Sequence, residues 1–332
     1  MRERMLKLAG FALWLGVAVC AVLAATPGLG RWLYVLDILS NFQIQYAVFS
    51  VALLAAAVIL RRWRAAATAV ALVLLLGLRT AGIQGAMPTP PGGATLKVVS
   101  ANLLFTNRNS AGLLAFVAEK DPDVIALQEF GPGISEALSV ALLPKYPYVF
   151  ATPEPNPSGI ALYSKFPCDL TPLDKLDARA LAGASSFPRV INRYQLTVGG
   201  KPVVLYNVHP YPPAGARGQE ERNAQLRLVA DLVAKERGPV VVAGDLNATP
   251  WCPYYADFIR ASGLQSGRNG RGPIPTWPAR GIVPGLPWAL RDFVRIPIDY
   301  VFCSPGLVFR SFERGPAIGS DHLPVYAEIV LP

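Results

Sequence analysis

Polar side chains that can do chemistry follow a series of short apolar segments in the second part of the chain. They include both histidines of the protein, His209 and His322. The others are carboxylates and amides beside the ends of such segments: Asn102, Glu129, Asp245, Asn247, Asp299 and Asp321. One such carboxylate would be read as a turn residue. So many together indicate a functional site, because loops at strand ends carry binding and catalytic residues.

These residue types favour hydrolysis at phosphorus. Glu129 and Asp321 offer the hard oxygen ligands that Mg²⁺ or Mn²⁺ prefers, whereas two histidines and scattered cysteines fit zinc poorly. A histidine beside a carboxylate can activate water, and asparagine amides can donate hydrogen bonds to a phosphoryl oxygen. A metal ion, an activated water and amide donors together suit in-line attack on phosphorus.

The segments between these residues predict a domain built on β-sheets. β-Branched runs bounded by turn residues indicate strands at 96–101, 124–127, 148–151, 159–163, 190–197, 203–208, 240–243, 298–302, 307–312 and 325–330. Helices are indicated over 111–120, with Ser110 as the capping residue, and over 217–237 and 252–262. Two sheets with helices on the outside are the natural architecture for this order of elements.

The first 86 residues predict a membrane anchor. Hydrophobic residues make up 52% of the 332 residues and charged residues only 16%, which is little charge for a soluble protein. Three apolar stretches, at 8–25, 42–60 and 66–83, have the length of transmembrane helices. A Pro/Gly-rich linker at 87–94 precedes the predicted domain at 95–332.

The basic residues predict how this anchor is oriented. They cluster before the first stretch and between the second and third, at Arg2, Arg4, Lys7, Arg61, Arg62 and Arg64. Both clusters are expected on the cytoplasmic side, which places the domain on the opposite side of the membrane. A cleaved signal peptide is the alternative for the first stretch, and it leaves the position of the domain unchanged.

The net charge of +9 follows largely from this topology. Residues 1–94 hold eight basic and two acidic side chains, which leaves +3 for the rest of the chain. A nucleic-acid partner is therefore possible but not favoured by charge.

Three of the four cysteines lie in the predicted domain: Cys168, Cys252 and Cys303. An exported domain can form a disulfide between two of them. The favoured interpretation is that they are buried small hydrophobic residues.

Residues 260–297 carry six arginines against one acid, Asp292, and include Trp277 and Trp288. The segment is either a solvated loop or a collar that binds the phosphate and a flat or lipidic group of the substrate. Beside a membrane it would also contact anionic headgroups. Arg189 is likewise either a phosphate contact or a solvent-facing strand residue.

Seven motifs resemble, in their order along the chain, the endonuclease/exonuclease/phosphatase superfamily with its deoxyribonuclease-I-like fold. They are Val99-Ser-Ala-Asn-Leu103, Asp123-Val-Ile-Ala-Leu-Gln-Glu129, Ser158-Gly-Ile-Ala-Leu-Tyr-Ser164, Asn207-Val-His209, Gly244-Asp-Leu-Asn247, Ile298-Asp-Tyr300 and Gly319-Ser-Asp-His-Leu-Pro324. The combination with three apolar stretches is similar to bacterial membrane proteins associated with teicoplanin resistance, and this similarity implies a location in a bacterial inner (plasma) membrane. The resemblance implies an α/β fold, a four-layer sandwich of two packed β-sheets flanked by helices, and divalent-metal-dependent hydrolysis of phosphoric esters.

The resemblance also implies a role for each matching residue. Glu129 is the main metal ligand, with Asn102 and Asp321 completing its surroundings. Asp299 orients His322, which acts as a base or stabilises the transition state, and His209 is the general acid or a phosphate contact. Asp245 and Asn247 orient the attacking water and the phosphoryl oxygens. The carboxylate that pairs with the residue equivalent to His209 in some relatives has no match here.

Three hypotheses follow. The first is a membrane-tethered, Mg²⁺-dependent phosphodiesterase or phosphatase outside the cytoplasm that acts on a phospholipid or a lipid-linked phosphate or pyrophosphate. The second is a metal-dependent nuclease for extracytoplasmic nucleic acid. The third is a catalytically silent membrane protein that binds a phosphorylated ligand.

Overall fold

The N-terminal region is helical in the computed structural model, which describes residues 1–81, 92–171, 191–279 and 288–331. Its helices are α1 (Arg2–Leu29), α2 (Tyr34–Ser40), α3 (Gln43–Ile59) and α4 (Trp63–Thr80). By length and composition α1 and α4 can cross a membrane, and α2 with α3, bent by 72°, counts as a third candidate. The three predicted stretches thus fall on α1, α3 and α4, whereas α2 was not predicted.

The rest of the described chain alternates strands and helices. The strands are β1 (Ala94–Asn102), β2 (Val124–Gln128), β3 (Tyr148–Thr152), β4 (Ile160–Ser164), β5 (Cys168–Thr171), β6 (Ile191–Val198), β7 (Lys201–Val208), β8 (Val240–Asp245), β9 (Gln265–Ser266), β10 (Asp299–Cys303), β11 (Val308–Arg314) and β12 (Val325–Leu331). The helices are α5 (Ala111–Lys120), α6 (Pro132–Leu142), α7 (Gly215–Lys235), α8 (Pro253–Ser262) and α9 (Trp288–Phe293).

These strands form two six-stranded sheets, ordered β11-β12-β1-β2-β4-β3 and β5-β6-β7-β8-β10-β9. Their facing sides share one apolar core, which includes Val98, Leu162, Leu205 and Val301. Helices α5 and α6 pack on the outside of the first sheet, and α7 and α8 on the outside of the second. The predicted four-layer α/β sandwich is confirmed.

Some local expectations differ from the structure. Ser110 precedes α5, but its hydroxyl makes no capping hydrogen bond; the Asn109 side chain accepts the Ala111 N–H instead, at 3.0 Å. Helix α6 was not predicted, although Ile134, Leu138 and Leu142 on its inner face are buried at helical spacing. Most of the predicted linker lies outside the described residues.

All four cysteines of the chain are buried and free. This excludes the disulfide alternative for Cys168, Cys252 and Cys303 and confirms the favoured interpretation.

Strand register brings the polar strand ends together at one edge of the sandwich. Parallel pairing sets Asn102 at the end of β1 beside Gln128 at the end of β2. In the second sheet, Asp299 pairs directly with Asp245 across the antiparallel strands β10 and β8. Gly244 permits the close approach of β8 to β7, since a Cβ there would lie 1.8 Å from the carbonyl oxygen of Val208.

Candidate active site

His322 and Asp299 form a buried pair at the edge where the two sheets meet. The His322 Nδ1 lies 3.0 Å from Asp299 Oδ2 and 3.2 Å from its Oδ1. The backbone of His322 is held by Ser320, whose hydroxyl accepts its N–H at 3.0 Å. The arrangement fixes the imidazole with Nδ1–H toward the carboxylate and leaves Nε2 for the reaction.

His209 lies on the other side of Asp245. Its Nδ1 is 3.2 Å from the carbonyl oxygen of Pro157, and its Nε2 is 3.5 Å from Asp245 Oδ2 and 3.8 Å from Glu129 Oε1. A backbone carbonyl therefore takes the orienting position for which the sequence showed no carboxylate.

Asp245 joins the two histidines. Its Oδ2 accepts a hydrogen bond from Asn102 Nδ2 at 3.2 Å and lies 3.7 Å from His322 Nε2. Its Oδ1 accepts the backbone N–H of Asn247 at 2.8 Å, while the Asn247 amide donates to the Pro210 carbonyl at 3.0 Å. The residues predicted for catalysis thus lie in one connected set of contacts.

Glu129 and Asn102 lie beside this set. Asn102 Nδ2 donates to Glu129 Oε1 at 3.0 Å, and the Phe105 N–H donates to Glu129 Oε2 at 3.2 Å. Glu129 and Asn247 both have positive φ, 49° and 50°. Such backbone is costly for residues other than glycine and is found where a side chain must point in a set direction.

The pKa values of two buried carboxyl groups of the site, Asp245 and Asp299, are shifted in opposite directions. Burial favours the neutral form of Asp245, but His322 and His209 outweigh it and lower the pKa of that carboxyl. Burial raises the pKa of Asp299, with His322 opposing the shift. Asp245 is therefore the better placed of the two to remain ionised.

Both histidines favour the charged form. Burial disfavours charge on His322, but Asp299 and Asp245 outweigh it and raise its pKa to about 10. Burial likewise opposes charge on His209, whose pKa is still raised by Asp245 and Glu129. Each histidine is thus suited to donate a proton or a charged hydrogen bond to a phosphoryl oxygen.

The donor set fits a hard divalent cation. Asp245, Asp299 and His322 present ligand atoms that all lie within 4.8 Å of one another, and Glu129 is linked to Asp245 through the Asn102 amide, which donates to both carboxylates. In the structure the Asn102 amide nitrogen faces both Glu129 and Asp245. Its assignment as a metal ligand stays a prediction.

Asp321, the third predicted ligand, adjoins His322 in the chain. Its Oδ2 accepts a hydrogen bond from Trp277 Nε1 at 3.2 Å, and the Trp277 ring centroid lies 6.4 Å from that of His322. The structure therefore places Trp277 at the edge of the site, whereas Arg189 lies outside the described residues.

The sequence did not predict the buried hydrogen bonds of Gln128 and Asn207 beneath the site. Gln128 Nε2 donates to Asn207 Oδ1 at 2.7 Å, and Asn207 Nδ2 donates to the Leu127 and Ala161 carbonyls. These fully buried bonds join the two sheets directly below Glu129 and His209. Both residues occur in the motifs, but only the packing of the sheets shows that they face each other.

Two adjoining apolar cavities, which share Pro212 as a lining residue and are together termed the apolar groove, lie between His209 and the N-terminal helices. One cavity of about 190 Å³ is lined by His209, Pro157 and Pro212. A second, of about 280 Å³, shares Pro212 and extends past Asn247 and Trp277 to Ile38 and Phe42. The site is thus connected to residues of α2 and of the turn before α3.

The arginines of the 260–297 segment are largely bonded within the protein. Arg295 donates to the Pro278 carbonyl at 3.0 Å and pairs with Asp292 at 2.7 Å. Arg271 donates to the Gly267 and Phe309 carbonyls, and Arg268 is only 7% exposed. These three arginines therefore serve internal contacts, whereas Arg260, on α8, is exposed.

Comparisons with known proteins agree with this fold. The profile of the Endonuclease/Exonuclease/phosphatase family matches residues 99–322. An endonuclease/exonuclease/phosphatase from Beutenbergia cavernae is 21% identical, with 72% of each chain covered and a TM-score of 0.50. One from Bacteroides vulgatus is 18% identical over 72% of this chain and 99% of that chain, with a TM-score of 0.54.

An AP endonuclease from Archaeoglobus fulgidus is 16% identical over 70% of this chain and 98% of the other, with a TM-score of 0.55. Comparison with curated protein sequences gives no significant match. Members of the matched family are generally metal-dependent hydrolases of phosphoester bonds. The profile covers most of the chain and every residue assigned above from Asn102 to His322, and the chain belongs to the endonuclease/exonuclease/phosphatase family.

Proposed function

We propose that this protein is a membrane-tethered, extracytoplasmic hydrolase of phosphoric esters that requires Mg²⁺ or Mn²⁺ and acts on a lipid-linked phosphate or pyrophosphate. The observation that carries the hydrolase is the pairing of His322 with Asp299, joined through Asp245 to His209. Two oriented histidines around an ionised carboxylate supply both the proton transfers and the charge stabilisation that ester hydrolysis needs.

Each side chain has a role that its contacts allow. Asp245 and Asn247 orient the attacking water, with Asp245 accepting its proton. His322, charged and fixed by Asp299, donates a hydrogen bond from Nε2 to the phosphoryl oxygens as negative charge develops there. His209, held by the Pro157 carbonyl, presents its Nε2 proton to the leaving oxygen.

Glu129, Asn102 and Asp321 are the residues that would hold the metal ion. When bound, the ion neutralises charge on the phosphoryl group and activates water. The Glu129 carboxylate is kept in place by Asn102 and by the Phe105 N–H.

Removal of divalent ions should abolish activity. The full chain in detergent is expected to hydrolyse bis(4-nitrophenyl) phosphate with Mg²⁺ or Mn²⁺, to lose activity in EDTA and to recover on re-addition of metal. Glu129→Gln should raise the metal concentration for half-maximal activity by at least about tenfold. Full activity in EDTA would exclude metal dependence, and absence of turnover on every phosphoester would favour the silent binding protein.

The apolar groove supports a lipid substrate. It begins at His209 and ends at Ile38 and Phe42, next to helices that are long and apolar enough to span a membrane. Burial of a hydrocarbon chain along it would contribute about 25 cal/mol of favourable binding free energy for each Å² of apolar surface removed from water. A phosphate attached to that chain would then lie at the catalytic residues.

A polar substitution in the groove should separate lipid from water-soluble substrates. Ile38 lines the groove, whereas Val35, also on α2, is 56% exposed. Ile38→Asn should lower kcat/KM for a polyprenyl pyrophosphate by about tenfold and leave bis(4-nitrophenyl) phosphate hydrolysis unchanged, with Val35→Asn as the matched control. Equal effects of the two substitutions would argue against this use of the groove, and faster cleavage of plasmid DNA than of lipid would favour the nuclease.

A further inference from the structure

A third cavity, separate from the apolar groove, lies where α4 meets the catalytic domain. Its volume is about 270 Å³, and its walls include Leu78 and Arg79 at the end of α4 and Trp251, Arg268 and Asn269 of the domain. The Trp251 Nε1 donates to the Arg79 carbonyl at 3.3 Å, which joins the two walls.

Two arginines without an acidic partner face this cavity. Among the described residues neither Arg79 nor Arg268 forms an ion pair. Arg79 donates to the Ala24 carbonyl and to the Gln43 side chain, and the Arg268 Nη2 donates to the Gly272 carbonyl. The buried Arg268 Nε has no hydrogen-bond partner among those residues. The Arg268 guanidinium lies over the Tyr300 ring, 5.6 Å from its centroid, but a ring contact does not neutralise its charge. Burial of a charge without an acidic partner and of an unpaired donor is costly, so the cavity is suited to an anion.

The position of the cavity indicates how that anion is presented. Candidate span α4 begins just after the basic residues Arg61 and Arg62 and ends at Thr80, so the cavity adjoins the far end of the span. Leu78 is 65% exposed there, and tryptophan is typical of the membrane–water interface. We infer that this cavity binds the phosphate of an anionic phospholipid headgroup, with Arg79 and Arg268 as its cationic contacts.

Native mass spectrometry of the full chain released from detergent tests the inference. The probes are dihexanoyl phosphatidylglycerol, dihexanoyl phosphatidylcholine and inorganic phosphate. The wild type should prefer the phosphatidylglycerol, and Arg268→Gln should lower that affinity about tenfold, since charge-assisted hydrogen bonds are lost. Arg260→Gln is the matched control, because Arg260 is an exposed arginine whose ion-pair partner is Asp257 on the same helix.

A second variant keeps the test decisive if Arg268→Gln does not fold. Asn269→Asp adds a negative charge to the cavity wall without removing an arginine, and it should also lower the affinity about tenfold. Asn109→Asp adds the same charge at an exposed position outside the cavity and should not. Equal binding of both lipids, unchanged binding in Asn269→Asp, or inorganic phosphate binding as tightly as phosphatidylglycerol would each overturn the headgroup site.

Discussion

Replacement of His322 by asparagine should lower kcat for phosphoester hydrolysis by about a hundred- to ten-thousand-fold, with a much smaller change in KM. His322 lies 3.0 Å from Asp299 and 3.7 Å from Asp245, so it is both oriented and kept charged. Its contribution arises as charge develops on the phosphoryl oxygens, which is why the effect should appear in kcat. Steady-state kinetics of the full chain at saturating Mg²⁺ measure it.

Asp299→Asn provides the companion variant. It keeps an oxygen near Nδ1 but removes the charge that raises the pKa of His322, so kcat should fall in the same direction by a smaller factor. If His322→Asn retained wild-type kcat, the assignment of this pair to the reaction would be wrong.

The same histidine should make the stability of the metal-free protein depend on pH. Its pKa rises from an ordinary 6.5 to about 10 in the fold, so protonation stabilises the folded state. That stabilisation is complete below pH 6.5 and is lost as the pH rises through about 10. In EDTA, Tm should therefore fall more steeply over this range in the wild type than in His322→Asn, as measured by thermal unfolding.

Sequence reasoning predicted the sandwich, and it singled out polar residues that the fold brings close together, because both features leave local signals. Apolar runs that end in a carboxylate or an amide mark strand ends, and the parallel pairing of β1 with β2 and of β7 with β8 brings those ends to one edge. The pairing of Asp299 with Asp245 then follows from strand register.

What could not be predicted depends on contacts between distant segments. The Pro157 carbonyl that orients His209 is a backbone atom and has no signature of its own. Asp37 reads in the sequence as a loop charge between two apolar stretches, yet it is fully buried. Arg268 reads as part of a basic loop, and its burial depends on how α4 and the domain meet. The residues next to each of these positions in the sequence do not indicate which distant residues it contacts.

Replacement of Asp37 by alanine is the substitution expected to destabilise the protein most. Asp37 Oδ2 accepts hydrogen bonds from Arg222 Nη2 at 2.6 Å and from Gln219 Nε2 at 2.9 Å, and both members of the Asp37–Arg222 ion pair are fully buried. The substitution leaves the Arg222 charge buried without a partner, at a cost of about 3–5 kcal/mol. Thermal unfolding of the full chain in detergent measures the loss.

A matched control lies in the same interface between the N-terminal helices and the two-sheet domain. Asp257 pairs with Arg31, but these side chains are 31% and 44% exposed, and exposed pairs contribute only about 0–1 kcal/mol. Asp257→Ala should therefore leave Tm almost unchanged. A similar loss in the two variants would contradict the importance of burial at Asp37.

The effect of Asp37 should extend to catalysis, because Arg222 also donates to the Asn247 carbonyl at 3.2 Å. Asn41, which follows α2, accepts the Thr249 N–H and hydroxyl in the same loop. Loss of Asp37 should thus lower kcat as well as Tm, and a chain cut before Ala94 should share the defect, since it lacks both Asp37 and Asn41.

A double variant separates the uncompensated charge from the lost contact. Asp37→Ala with Arg222→Met removes both members of the pair and leaves no charge to be solvated, so Tm should recover most of the loss. The double variant also removes the bond from Arg222 to the Asn247 carbonyl, so kcat should stay low. If kcat recovered together with Tm, the ion pair would contribute to folding alone. Recovery of Tm without kcat would mean that Arg222, besides pairing with Asp37, also positions the loop that carries Asn247.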